Sequence, residues 1–103
     1  MSRHDITDQA KALEVDEAVE LILDGEAIAI CRGEAGLFAV ANTCTHAEAR
    51  LTDGFLFENS IECPLHQARY DLSNGALLEG PDCPALRTFV LTEADGRVFV
   101  ELP

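Results

Sequence analysis

The sequence predicts an all-β chain, an antiparallel sandwich or barrel, on three observations. Turn-forming pairs recur at short intervals, the segments between them are too short for ordinary helices, and those segments are rich in β-branched and aromatic residues. The turn signals are Asp24-Gly25, the stretch from Gly33 to Gly36, Asp53-Gly54, Glu58-Asn59, the stretch from Ser73 to Gly75, Gly80-Pro81 and Asp95-Gly96. At 103 residues the chain is expected to form one domain spanning 1–103 around a single core.

The first apolar segment reads two ways. Val15, Ala18, Val19 and Ile22 fall at helical spacing, whereas Val19, Leu21 and Leu23 alternate as in a strand. The Asp24-Gly25 turn leads straight into the next apolar run, which favours a hairpin, so this segment is assigned to a strand. Further strands are expected over 27–31, 37–41, 55–57, 88–91 and 97–101, where Val, Ile, Phe and Thr concentrate.

Nineteen Asp and Glu against seven Lys and Arg give a net charge of −12, which argues against contact with nucleic acid or anionic membranes. The same charge suits a soluble protein steered toward a basic docking surface. No apolar run approaches the roughly 20 residues of a membrane-spanning helix. The first residues also lack a secretory signal, so the expected location is the cytoplasm. In that compartment disulfides are disfavoured, and the four cysteines call for another explanation. Cys31, inside an apolar run, reads as a buried and inert strand residue, while Cys83 stands between Pro81 and Pro84 in a turn.

Two cysteines lie beside histidines. Cys44 and His46 form a Cys-x-His pair, and after a gap of sixteen residues Cys63 and His66 form a Cys-x-x-His pair. Thiolate and imidazole suit iron and zinc, and such close spacing lets one loop supply two ligands. A zinc-stabilised binding module is one reading of this set. Against it, the ligand order is not the usual Cys-Cys then His-His of a finger, and no basic recognition helix follows. His4 stands apart from any cysteine and is not expected to be a ligand.

The pattern resembles the Rieske ferredoxin family, and the likeness covers almost the whole chain. The run from Gly36 to His46 resembles the strand entering the family's first ligand loop, and the run from Cys63 to Gly75 its second loop and exit strand. The segment from Gly80 to Arg87 resembles the proline-containing loop that covers the cluster. The resemblance implies a Rieske-like antiparallel β-sandwich or barrel with a small cluster-binding subdomain, its ligand loops at about 42–52 and 62–71 and its proline loop at about 80–85. It implies a [2Fe-2S] cluster with Cys44 and Cys63 as thiolates on one iron and His46 and His66 as neutral imidazoles on the other. Two ferric ions, two sulfides and two thiolates sum to zero charge, so an electron is added more easily than to a four-cysteine cluster.

Departures from the high-potential members sharpen that expectation. Those members carry an additional cysteine in each loop, joined as a disulfide, where this chain has Ala49 and Leu65. They also place a serine and a tyrosine hydroxyl near the cluster, where hydrogen bonds to sulfur stabilise the reduced state. Here Ala68 replaces the serine and Tyr70 keeps the tyrosine. The expected potential is therefore toward the lower end of the family range, near about −150 mV. Gln67 stands where glycine commonly follows the second histidine. Leu51, Phe55, Leu65 and Leu72 are expected to fill the core or shield the cluster.

A coordinatively complete cluster leaves no iron site for a substrate, so the implied role is one-electron transfer rather than catalysis. The closest resemblance is to ferredoxins that pass electrons from an NAD(P)H-dependent flavoprotein ferredoxin reductase to a terminal Rieske non-haem iron oxygenase acting on aromatic rings. Such a carrier is expected to be a monomer that docks through the loop end, with Glu48, Arg50, Gln67, Arg69 and Asp82 shaping the contact. The small Rieske-like subunit of an assimilatory nitrite reductase is similar in size and is the alternative within electron transfer.

Overall fold

The computed structural model describes residues 2–43, 49–65, 68–80 and 84–103. Along the described chain run β1 (Ser2–Asp5), α1 (Thr7–Lys11), β2 (Glu17–Leu23), β3 (Glu26–Gly33) and β4 (Gly36–Ala41). A 3-10 turn at Leu51–Asp53 leads to β5 (Phe55–Phe57), β6 (Ser60–Glu62), β7 (Arg69–Asp71) and β8 (Leu77–Glu79), and β9 (Thr88–Ala94) and β10 (Arg97–Leu102) follow. The antiparallel strands form a six-stranded sheet in the order β1-β10-β9-β4-β3-β2 and a four-stranded sheet in the order β5-β6-β7-β8.

The ambiguous first segment is a strand, β2, paired residue for residue with β3 from Glu17 opposite Arg32 to Leu23 opposite Glu26. Its turn explains the outcome: Asp24 and Gly25 both take positive φ, as a two-residue hairpin turn of matching twist requires. Glu58-Asn59 and Asp95-Gly96 do the same. The five-residue helix α1 and the short strands β1, β6 and β8 carry too few residues for a period to emerge, and sequence patterning does not find them.

Strand β3 is apolar without alternation because both of its faces are covered. Ile28 and Ile30 join Ile6, Ala10, Ala39, Phe89, Val98 and Val100 in one core. Ala29 and Cys31 point the other way, with Val40, into a second core shared with Ile61 and Tyr70 of the small sheet and Leu72 just after it. Small side chains on that second face let the two sheets approach closely. Burial also pushes the Cys31 thiol up to about 12, which agrees with an inert residue.

The large sheet curls until its outer strands meet. Ser2 Oγ donates to Asp24 Oδ2, and His4 Nε2 lies 3.1 Å from the same oxygen, so β1 is latched to the far end of β2. Helix α1 plugs the curl, burying Ala10, and Arg32 holds its exit by donating to the carbonyls of Leu13 at 2.7 Å and Ala10 at 3.0 Å. Its entry depends on Asp5, whose Oδ1 accepts the Thr7 backbone N–H at 3.0 Å and hydroxyl at 2.6 Å, while Arg97 Nε donates to Oδ2 at 2.7 Å. Among the described residues no helix is long and apolar enough to cross a membrane.

These Thr7 contacts, then the Arg97 hydrogen bond, hold the Asp5 carboxyl down at about 2, against 3.8 for the free group. A carboxyl with a depressed folded pKa adds stability above its unfolded pKa and loses it as pH falls through the folded value. Asp5→Asn should therefore lower the thermal midpoint at neutral pH, with the gap to the parent closing between about pH 4 and pH 2. Thermal melts across that window check it, and an undiminished gap at the acid end would trace the effect to something other than charge.

Candidate metal centre

Each candidate ligand loop is flanked by a hydrogen-bonded neck. Strand β4 delivers Asn42 and Thr43, and the chain returns at Ala49 to Leu51. Leu51 N–H donates to the Asn42 carbonyl at 2.8 Å, Thr52 N–H donates to Asn42 Oδ1 at 2.9 Å, and Thr43 pairs with Arg50 as an antiparallel bridge. Strand β6 leads into Cys63, whose N–H donates to the Ala68 carbonyl at 2.8 Å as the chain enters β7.

Both necks lie at the same end of the molecule. The β3–β4 turn and the β5–β6 turn are tied together at the opposite end, where Ala35 N–H donates to Asn59 Oδ1 at 2.8 Å. From those turns β4 and β6 both run toward their loops.

Of the four candidate ligands, Cys63 is described; Cys44, His46 and His66 lie outside the described residues, as do Glu48, Gln67, Asp82 and Cys83. Cys63 is fully buried in the second core, which includes Ala49, Leu51, Ala68, Tyr70, Leu72 and Leu86. Dry apolar surroundings exclude water from a thiolate–metal bond and tune its potential. Two thiols and two imidazoles on paired loops, one thiol already seated in such a pocket, fit the donor set of a two-iron cluster with mixed ligation. The chain after β8 closes over this neck at Gly80, where φ is +118° and a Cβ would stand 2.7 Å from Ala68 Cα.

Ala68 and Tyr70 are fully buried beside Cys63, so the missing serine hydroxyl is missing from the interior. Ala49 is buried and Leu65 is 67% exposed. Two expected core residues are not core: Phe55 is 65% exposed and Leu65 more so, whereas Leu51 and Leu72 are buried. Phe55 sits on edge strand β5 opposite Glu62, on the outer face of the small sheet, while its neighbour Leu56 faces inward opposite Ile61.

Arg69, expected near the surface, is mostly covered. Its side chain is 17% exposed, bonded through Nη2 to Glu79 at 2.9 Å and laid over the Phe57 ring at 5.0 Å. Arg50 is exposed and shared between Glu20 at 3.4 Å and Asp53 at 3.6 Å. His4, unassigned from sequence, belongs to the strand latch. Asn42 was visible in sequence only as a flank of Cys44; its burial and its bond to Glu20 on β2 depend on a contact twenty-two residues apart.

A Rieske [2Fe-2S] domain model matches residues 5–90. The ferredoxin component of the naphthalene 1,2-dioxygenase system of Pseudomonas aeruginosa is 35% identical over 86 residues, covering 84% of this chain and 83% of that one. Among solved structures, the Sphingomonas yanoikuyae B1 ferredoxin superposes with a TM-score of 0.83 at 30% identity, covering 91% of this chain and 93% of that one. A chain from the complex of reduced oxygenase and oxidised ferredoxin in carbazole 1,9a-dioxygenase superposes with a TM-score of 0.81 at 26% identity, covering 89% and 95%. The chain belongs to the Rieske [2Fe-2S] domain family, and its cofactor is a Rieske [2Fe-2S] cluster.

Gly80→Ala should disturb this end of the molecule first. The clash with Ala68 backbone and the positive φ together should cost about 1–3 kcal/mol, read as a lower denaturation midpoint in urea. An unchanged midpoint would show that the segment after β8 shifts freely away from Ala68.

Proposed function

We propose that this chain is the ferredoxin component of an aromatic-ring dioxygenase system. It takes one electron at a time from an NAD(P)H-dependent flavoprotein reductase and delivers it to a terminal oxygenase. The observation that carries the reading is the pair of hydrogen-bonded necks at one end of a two-sheet frame, with Cys63 buried at the second. Relatives named as ferredoxin components, matched over 83% of their length, support the same assignment.

In this reading Cys44 and Cys63 hold one iron as thiolates and His46 and His66 the other through imidazole nitrogens. When bound, the cluster supplies storage of a single electron at a moderate potential. The protein's part is to hold the four ligands, keep water away from Cys63 with Ala68, Tyr70, Leu72 and Leu86, and bring the loop end to a partner. The chain works as one domain in the cytoplasm and is a carrier, not an enzyme.

Purified protein should hold about two irons and two acid-labile sulfides per chain and give a Rieske-type EPR spectrum after dithionite reduction. Cys63→Ser should abolish both. A colourless protein holding one zinc would overturn the proposal in favour of a structural metal site.

Its midpoint potential should lie near about −150 mV, because Ala68 offers no hydroxyl to a cluster sulfur. Ala68→Ser should raise it by roughly tens of millivolts, measured by redox titration. A parent value near the top of the family range would contradict the argument from Ala68.

A further inference from the structure

Asn42 is fully buried, and each of its polar groups is engaged. Its N–H donates to Ala27 O at 3.0 Å and its carbonyl accepts from Leu51 N–H at 2.8 Å. Its side-chain Oδ1 accepts from Thr52 N–H at 2.9 Å, and Nδ2 donates to Glu20 Oε2 at 2.6 Å and reaches Thr52 Oγ1 at 3.0 Å. Glu20, on edge strand β2, has a side chain only 24% exposed, and its other oxygen faces Arg50 Nη1 at 3.4 Å.

These contacts join the two chain segments that flank residues 44–48, and they join them through a partner on a different strand. We propose that Asn42 is a positioning residue for the first ligand pair, with the Glu20 carboxylate locking its amide. Only Thr43 separates Asn42 from Cys44, so the neck that Asn42 closes sets the point from which Cys44 and His46 are presented. The network is directional: Asn42 gives an N–H and Glu20 receives it. An aspartate at 42 would turn a carboxylate toward a carboxylate, leaving the Glu20 charge partly buried without its donor. A glutamine at 20 would supply a donor again, with the roles exchanged.

This inference rests on Cys44 and His46 being ligands, which the EPR spectrum and iron count of the parent test separately. The experiment uses the cluster-loaded protein. In N42D, hydrogen exchange of the peptide spanning residues 42–52 should be about tenfold faster or more. Cluster loss, followed by bleaching of the visible absorbance, should accelerate in step, and the EPR g values should shift.

The exchanged pair, N42D with E20Q, should bring all three back toward the parent. N42D with E93Q restores the same net charge at an exposed site far from the neck and should rescue nothing. Four results would overturn the proposal: N42D indistinguishable from the parent, rescue by E93Q as good as by E20Q, failure of the exchanged pair to rescue, or faster exchange spread evenly over the whole chain. Should N42D not fold, E20A reads the same lock from its more exposed side. Faster exchange confined to 42–52 would then support the proposal, and parent-like exchange would overturn it.

Discussion

The double burial of β3 is the constraint on which the rest depends. Its Ile28 and Ile30 face fills the curl of the large sheet, and its Ala29 and Cys31 face receives the small sheet. A strand covered on both sides has little freedom to slip, because a one-residue shift would exchange isoleucines for alanine and cysteine on both faces. Strand β4 inherits that register through six paired positions, from Ile28 opposite Ala41 to Gly33 opposite Gly36. The first ligand loop therefore starts from a point fixed by core packing. The second starts from β6, whose Ile61 is buried in the core that β3 and β4 supply.

How much of this the sequence discloses varies with the range of the interaction. The hairpins are legible because Asp24-Gly25, Glu58-Asn59 and Asp95-Gly96 are local signals that act within four residues. The proposed ligand set stands out in sequence because residues that one loop offers to a metal must be close in sequence. What escapes is what depends on distant partners or on orientation. Phe55 and Leu56 look alike in sequence, and only the pairing with Glu62 and Ile61 decides which faces inward. Arg69 reads as a surface cation until Phe57 and Glu79 are brought to either side of it. Helix α1 escapes for another reason, since its entry acceptor, Asp5, belongs to a strand and its exit is held by Arg32.

Asn42 shows why a flank can matter as much as a ligand. Loops that bind a metal carry the entropy cost of closure whether or not the metal is present. A neck closed by a backbone bond and a buried amide meets that cost before any ligand is placed. The arrangement at Asn42 puts a polar group where an apolar one would pack more cheaply, and it is tolerable because every donor and acceptor is matched. That matching fixes how Asn42 meets Leu51 and Thr52.

Part of the net charge of −12 is matched locally. Among the described residues, several acids are coupled to arginines: Glu20 and Asp53 to Arg50, Glu79 to Arg69, and Glu26 to Arg87. Strand direction puts Asp16 and Glu17 at the start of β2, Glu34 between β3 and β4, Glu58 between β5 and β6, Glu93 near the end of β9 and Asp95 in the turn after it, all at the end opposite the necks. Exposed ion pairs add little stability, yet they flatten the local potential. For a carrier of this net charge, long-range electrostatics act on the rate and orientation of approach more than on the strength of the final contact.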